Sequence, residues 1–259
     1  MEQSVVAPDI EELVMRERRA ARERLRAACS DGPLPGCIAD CINGEMVLWE
    51  GEFRVCPLAQ TDACPNVGAQ RTTLLAARMV QIGVGERYLE ASLDRVAATI
   101  RPRIADYIEH IREHVNNGTG LLIAGGTGTG KTCILALVAR AALLERIRDV
   151  AWAYSSSLMA DLHSKGDDAQ IRVERWRDAR LALLDDFGGA YASEWGVPQF
   201  DALVEARYSR HLATCISTNA VPQELVQNPL WQRAVSRWRE TCVAIGTGVD
   251  DRRGKAAAR

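Results

Sequence analysis

Residues 121–139 read LLIAGGTGTGKTCILALVA, and residues 181–189 read LALLDDFGG. The first stretch is a short apolar strand that runs through a glycine-rich turn into an apolar helix. Gly125, Gly126, Thr127, Gly128, Thr129, Gly130, Lys131 and Thr132 fit the spacing G-x-x-x-x-G-K-[ST]. The chemistry needs that spacing. Glycines let successive backbone N–H groups turn toward one anion, and the start of the helix adds its dipole. Lys131 then reaches the β and γ phosphates of a nucleotide such as ATP, and the Thr132 hydroxyl ligates Mg²⁺. Cys133 follows in the first helical turn and belongs to the same nucleotide-binding segment.

The second stretch ends an apolar strand in two acids. Asp185 is the candidate Mg²⁺ ligand and Asp186 the group that orients and polarises an attacking water. Two acids that merely closed a buried strand would be costly without a cation beside them. A third apolar strand, LATCIST at 212–218, ends in Ser217, Thr218 and Asn219. In a parallel sheet these lie beside the other two strand ends, where Asn219 is the candidate γ-phosphate or water contact.

Working outward, short apolar strands alternate with helical stretches over 102–115, 131–146, 198–210 and 231–240, and VAWAYSS, RLALLDD, LATCIST and CVAIG supply further strands. That alternation predicts an α/β fold with a parallel, doubly wound sheet. With 259 residues, 47% apolar and 25% charged side chains, the chain suits one domain plus an appendage. The expected organisation is an N-terminal module at 1–70, a helical connector at 71–115 and a nucleotide-binding domain at 116–259. A net charge of −2 excludes a protein coated in positive charge, so nucleic-acid contact has to come from local patches. No apolar run approaches the roughly 18–20 residues that span a bilayer, and residues 1–30 hold no apolar signal core. The expectation is a cytoplasmic protein without a membrane partner.

The N-terminal module has a different character. Residues 9–29 read as a charged helix with Asp9 at its N-cap, suited to solvent or to docking on a partner. The alternating EMVLWEGEFRV at 45–55 predicts a hairpin, flanked by Cys37 and Cys41 on one side and Cys56 and Cys64 on the other. Four thiolates give Zn²⁺ a closed tetrahedral shell that would fold so short a segment. Free thiols, an iron–sulfur cluster, and Cys29 as an alternate ligand are the other readings of the cluster.

Taken in order, these segments resemble the AAA+ ATPases of the DnaC and DnaI helicase-loader type and the related IstB-like transposition ATPases. The resemblance covers about residues 80–253, from IGVGERYLEASLDRV at 82–96 through SEWGVPQFDALVEARYSRHLATCISTNAVPQEL at 193–225 to RAVSRWRETCVAIGTGVDDR at 233–252. It implies a P-loop AAA+ domain without a C-terminal lid, preceded by a small zinc-ribbon-like module. It makes Asn219 the γ-phosphate sensor and Arg237 an arginine finger offered to a neighbouring subunit, with Arg233 and Arg252 flanking. The wider class pairs Asp with Glu where this chain has Asp185 and Asp186. The implied role is an ATP-dependent loader of a ring-shaped replicative helicase onto single-stranded DNA, self-associating through its ATPase domain, with residues 1–70 on the helicase. An IstB-like transposition helper is the nearest alternative. A small-molecule kinase or an ATP-bound interaction module without turnover comes from other classes.

Overall fold

The computed structural model describes residues 41–42, 46–49, 52–55, 75–147, 149–188, 196–220, 229–249 and 251. The helix expected over 9–29, and Cys37, Cys56, Cys64 and Arg252, lie outside these residues. The chain divides into two compact units, Met1–Arg78 and Met79–Arg259. In the first, β1 (Cys41–Ile42), β2 (Met46–Trp49) and β3 (Glu52–Val55) form an antiparallel sheet in that order. Its β2–β3 pairing sets Met46 opposite Val55 and Trp49 opposite Glu52, which is the hairpin that the alternating pattern predicts.

A helix over 75–82, α1, leads into the second unit. There α2 (Arg101–Glu109) and α3 (Ile111–Asn116) replace the single helix expected over 102–115, with a break at His110. The buried series Ile104, Tyr107, Ile111 and Val115 continues through the break, so both pieces present the same apolar face to the core. The alternating elements follow: β4 (Gly120–Ala124), α4 (Lys131–Leu144), β5 (Val150–Tyr154), α5 (Ser155–His163), α6 (Asp167–Asp178) and β6 (Leu181–Phe187). The chain continues through α7 (Gly196–Ser209), β7 (Ala213–Thr218), α8 (Gln232–Thr241) and β8 (Cys242–Gly246).

These strands form one five-stranded sheet in the order β5-β6-β7-β4-β8, and every pairing is parallel. The strands are apolar because both faces are covered; β4 is buried at all five positions and β7 at all six. Helix α4 is buried nearly all round, from Ile134 to Leu143, as a helix enclosed by other elements must be. One end of the sheet is tight. A side chain at Gly120 would overlap the Thr214 carbonyl, so only glycine allows β4 and β7 to meet there. Aromatic rings close the other side: Phe187 lies 4.8 Å from Trp238, 5.0 Å from Trp231 and 5.6 Å from Phe200.

Arg207 on α7 is the unusual member of this core, at 1% exposure. Its guanidinium donates to the Thr214 hydroxyl at 2.9 Å and to the carbonyls of Trp176 (2.8 Å), Ala179 (2.8 Å), Arg177 (3.0 Å) and Ala213 (2.6 Å). Burial lowers its pKa to about 9, which still leaves it charged at neutral pH. Five bonds tie α7 to the end of α6 and the start of β7. Arg207→Met keeps the length of the side chain and removes every donor, so it should lower the unfolding free energy of this unit by about 3–5 kcal/mol, since hydrogen bonds to charged groups contribute about 1.5–3 kcal/mol each and relaxation recovers part. Chemical denaturation followed by near-ultraviolet circular dichroism reads this directly; a loss under about 1 kcal/mol, the size of one neutral hydrogen bond, would mean that Arg207 is not the clamp.

Candidate functional site

Because all five strands are parallel, the segments that follow β4, β6 and β7 emerge on one edge of the sheet. The Gly125–Thr132 turn leaves β4 with Gly128 at φ 78° and Gly130 at φ 97°, the left-handed region that favours glycine. Gly130 is the N-cap of α4, so the loop ends on the positive pole of that helix. Cys133 packs in the first turn of α4, where burial pushes its thiol pKa up.

Lys131 is buried and its ammonium donates to the loop's own carbonyls, Gly125 at 3.0 Å and Gly126 at 2.7 Å, and to Asn219 Oδ1 at 2.6 Å. The Asn219 amide in turn donates to Asp186 Oδ1. A chain of contacts therefore runs from the phosphate-loop lysine through the strand-end asparagine to the second acid. Thr132 Oγ1 donates to Asp185 Oδ1 at 3.2 Å, and Ser217 Oγ donates to the same oxygen. Asp185 is 3% exposed; burial raises its pKa and the two hydroxyl donors pull it back toward the ionised form. A buried carboxylate and a hydroxyl in contact, with oxygen donors only, suit a hard cation such as Mg²⁺.

The two acids share a site because of a β-bulge. Between β6 and β7, Leu184 pairs with Ile216 and Phe187 with Thr218, so two residues of β6, Asp185 and Asp186, stand opposite Ser217 alone. On a regular strand their side chains would point to opposite faces. Asp186 instead takes φ 59°, and its side chain turns out to solvent and to Asn219. Lys131, Thr132, Asp185, Asp186 and Asn219 thus meet as the sequence expects.

The sequence reading missed the rim of the loop. After β8 the chain folds back over it: Thr247 N–H donates to Ala124 O at 2.8 Å, and Gly126 N–H donates to Gly248 O at 2.8 Å. The Thr129 and Thr247 hydroxyls lie 2.6 Å apart, and a side chain at Gly128 would overlap the Asp251 carboxylate. The signal was the GTG at 246–248, a flexible turn directly after an apolar strand.

Arg237 sits elsewhere. Its guanidinium pairs with Glu205 on α7, lies 5.6 Å from the Tyr208 ring centroid and donates to Arg233 O at 3.1 Å. It lines a cavity of about 150 Å³ together with Asn117, Gly118 and Thr119, the residues that precede β4. The phosphate loop follows β4, so about 16 Å of strand, five residues at roughly 3.3 Å each, separates the two ends. Arg233 is exposed. The basic side chains of α6 are engaged within the chain: Arg172 with Asp161, Arg177 with Asp178 and Arg175 with Gln81 O.

No family model and no curated protein matches this sequence. Solved structures do. DnaI aligns with TM-score 0.56 and 23% identity over 66% of this chain and 95% of that one. The DnaC helicase loader aligns with TM-score 0.53 and 20% identity over 62% and 99%. The fold is that of a DnaC/DnaI-type AAA+ ATPase. Replication initiator DnaA bound to AMPPCP and single-stranded DNA aligns with TM-score 0.50 and 20% identity over 65% of this chain and 52% of that one. In this unit the strand order places β4 between β7 and β8, with the loop and the acids on the edge described above.

The roles that the sequence leads one to expect of Lys131 and Asp186 are separable. Lys131→Ala should weaken nucleotide binding by about tenfold to a hundredfold, as loss of charge-assisted bonds to phosphate does, while Asp186→Asn should leave binding intact and stop turnover. Calorimetric titration with ADP and a phosphate-release assay distinguish them; parental affinity in Lys131→Ala, or parental turnover in Asp186→Asn, contradicts these roles.

Proposed function

We propose that the chain is an ATPase that loads a ring-shaped replicative helicase onto single-stranded DNA. The observation that carries the ATPase part is the Lys131–Asn219–Asp186 connection across the bulged strand edge. Mg²⁺ held by Thr132 and Asp185 would, when bound, neutralise charge on the β and γ phosphates. The ammonium of Lys131 lies against the Gly125 and Gly126 carbonyls and Asn219 Oδ1. A triphosphate offers it better acceptors, so Lys131 turns to the β and γ oxygens and releases the Asn219 carbonyl. The Asn219 amide then holds the attacking water against Asp186, which takes a proton as the water oxygen bonds to the γ-phosphorus and the β–γ bridge breaks. ADP and inorganic phosphate leave.

Arg237 faces away from its own nucleotide and serves the site of a neighbour, so turnover requires subunits in a row. The helicase part is supported by the likeness to the DnaC helicase loader, whose chain is covered almost end to end, and the DNA part by the likeness to replication initiator DnaA bound to AMPPCP and single-stranded DNA. No helix among the described residues is long and apolar enough to cross a membrane. Cys37, Cys41, Cys56 and Cys64 flank the hairpin in the sequence and would hold Zn²⁺, which would fold the module that meets the helicase.

A mixing experiment tests the shared site. Lys131→Ala subunits and Arg237→Ala subunits each keep what the other lacks, so the mixture should regain part of the turnover, and single-stranded DNA with a replicative helicase ring should raise parental turnover per chain. A fully engaged finger contributes a factor of about 10³–10⁵. Turnover independent of protein concentration and of the helicase, with no recovery in the mixture, rules out the loader. For the N-terminal module, elemental analysis should find zinc that is lost in Cys37→Ser and Cys56→Ser while nucleotide binding survives; protein free of metal returns the cysteines to free thiols.

A further inference from the structure

The bulge gives Asp186 its outward side chain, but a bulge needs something to hold it. Ser217 stands opposite both acids and is 1% exposed. Its hydroxyl oxygen accepts the Asp186 N–H at 2.9 Å, and its own proton goes to Asp185 Oδ1. One side chain therefore fixes the backbone of one acid and the carboxylate of the other. Asp186 carries a φ of 59°, which a residue with a Cβ adopts only where its surroundings hold it there. The bond from its N–H is that restraint. The bond to Asp185 leaves the second oxygen of this carboxylate for a metal or its water shell, and turns the group toward Thr132, its other hydroxyl partner.

An alanine here would free both acids together, because the two bonds pass through a single oxygen. The neighbours do not substitute for it: the Thr218 hydroxyl is spent on the Ala220 N–H at 3.0 Å, and the Asn219 amide reaches the Asp186 side chain rather than its backbone.

We infer that Ser217 is the positioning residue of this site, setting the separation and orientation of the metal-binding acid and the water-activating acid through one hydroxyl. The inference rests on the ATP-hydrolysis reading for the role of Asp186 and on the structure alone for the coupling of the two acids. It predicts an effect on chemistry and on metal affinity together, with nucleotide affinity untouched. No bond runs from the Ser217 hydroxyl to the glycine-rich turn or to Lys131; its link to Thr132 passes through Asp185.

The test compares the parental chain with Ser217→Ala, Ser217→Thr and Ser217→Cys. Steady-state ATP hydrolysis gives kcat and KM, calorimetry with ADP in EDTA gives metal-free nucleotide affinity, and electron paramagnetic resonance gives Mn²⁺ affinity in the presence of AMPPCP. A partner that orients a metal-binding carboxylate typically contributes about 10- to 100-fold, so Ser217→Ala should lose that factor in kcat and in Mn²⁺ affinity while KM and ADP affinity hold. Ser217→Thr keeps the hydroxyl and should restore both. Ser217→Cys keeps the volume with a weak donor and should resemble alanine, which preserves the test if the alanine variant unfolds. Parental kcat and Mn²⁺ affinity in the alanine or cysteine variant overturns the inference, as does a loss of ADP affinity in step with kcat. If the parental chain binds nucleotide and never hydrolyses it, the hydrolysis reading fails, and Mn²⁺ affinity alone decides the role of Ser217.

Discussion

Parallel pairing of β4 with β7 is the constraint from which the rest follows. It sets Leu122 beside Ile216 and Ala124 beside Thr218, and it requires a bare Cα at Gly120 where the Thr214 carbonyl approaches. Once that register is fixed, Gly125 begins the phosphate loop beside the end of β7, and its N–H bonds the Thr218 carbonyl at 3.2 Å. β6 adds on the far side of β7 and delivers its acids to the same edge. A slip of one residue would turn every side chain of β7 to the other face and separate Ser217 from Asp185. The core residues on both faces of the sheet hold the register, and the site inherits it.

Polar groups in this unit fall into two energetic classes. Arg207 and Ser217 are buried and bonded on several sides, so the loss of either leaves neighbours without partners. The ion pairs on α6 are of the other kind. Arg177 and Asp178 are each more than a third exposed, and such pairs contribute about 0–1 kcal/mol. Asp178 is held at a pKa of about 2 by Arg177 and Arg210, yet its exposure keeps that contribution small. A surface held so lightly exchanges partners at little cost, whereas Arg237 on Glu205 lies deeper, with a quarter of the Arg237 side chain and half of the Glu205 side chain in water. The bonded strand edge and the exchangeable surface are built from polar residues at different depths.

Much of this was legible in the sequence. The phosphate loop, the acid pair and Asn219 are local patterns, each at the end of an apolar run, and a parallel sheet brings strand ends together without further information. The strands fall where VAWAYSS, RLALLDD, LATCIST and CVAIG place them. Ser217 was visible as a polar residue at a strand end, but its role depends on a bulge that exists only in the pairing of two strands, and neither sequence alone encodes that register. The pair Arg237–Glu205 joins residues 32 positions apart on different helices, beyond the reach of periodicity. The break at His110 was hidden because the buried positions keep helical spacing across it. The cysteine cluster is read from spacing alone.

The strap after β8 has a consequence for the order in which this protein matures. The glycine-rich turn is complete by residue 132, but Gly126 N–H finds its acceptor on Gly248, and the Thr129 hydroxyl its neighbour on Thr247. β8 must dock along β4 before those bonds form. A nascent chain released only as far as β7 has the whole nucleotide motif and both acids, and lacks the rim that holds the loop in shape. Chains emerge from the ribosome N-terminal end first, so the glycine-rich turn takes its final shape only when β8 has paired with β4.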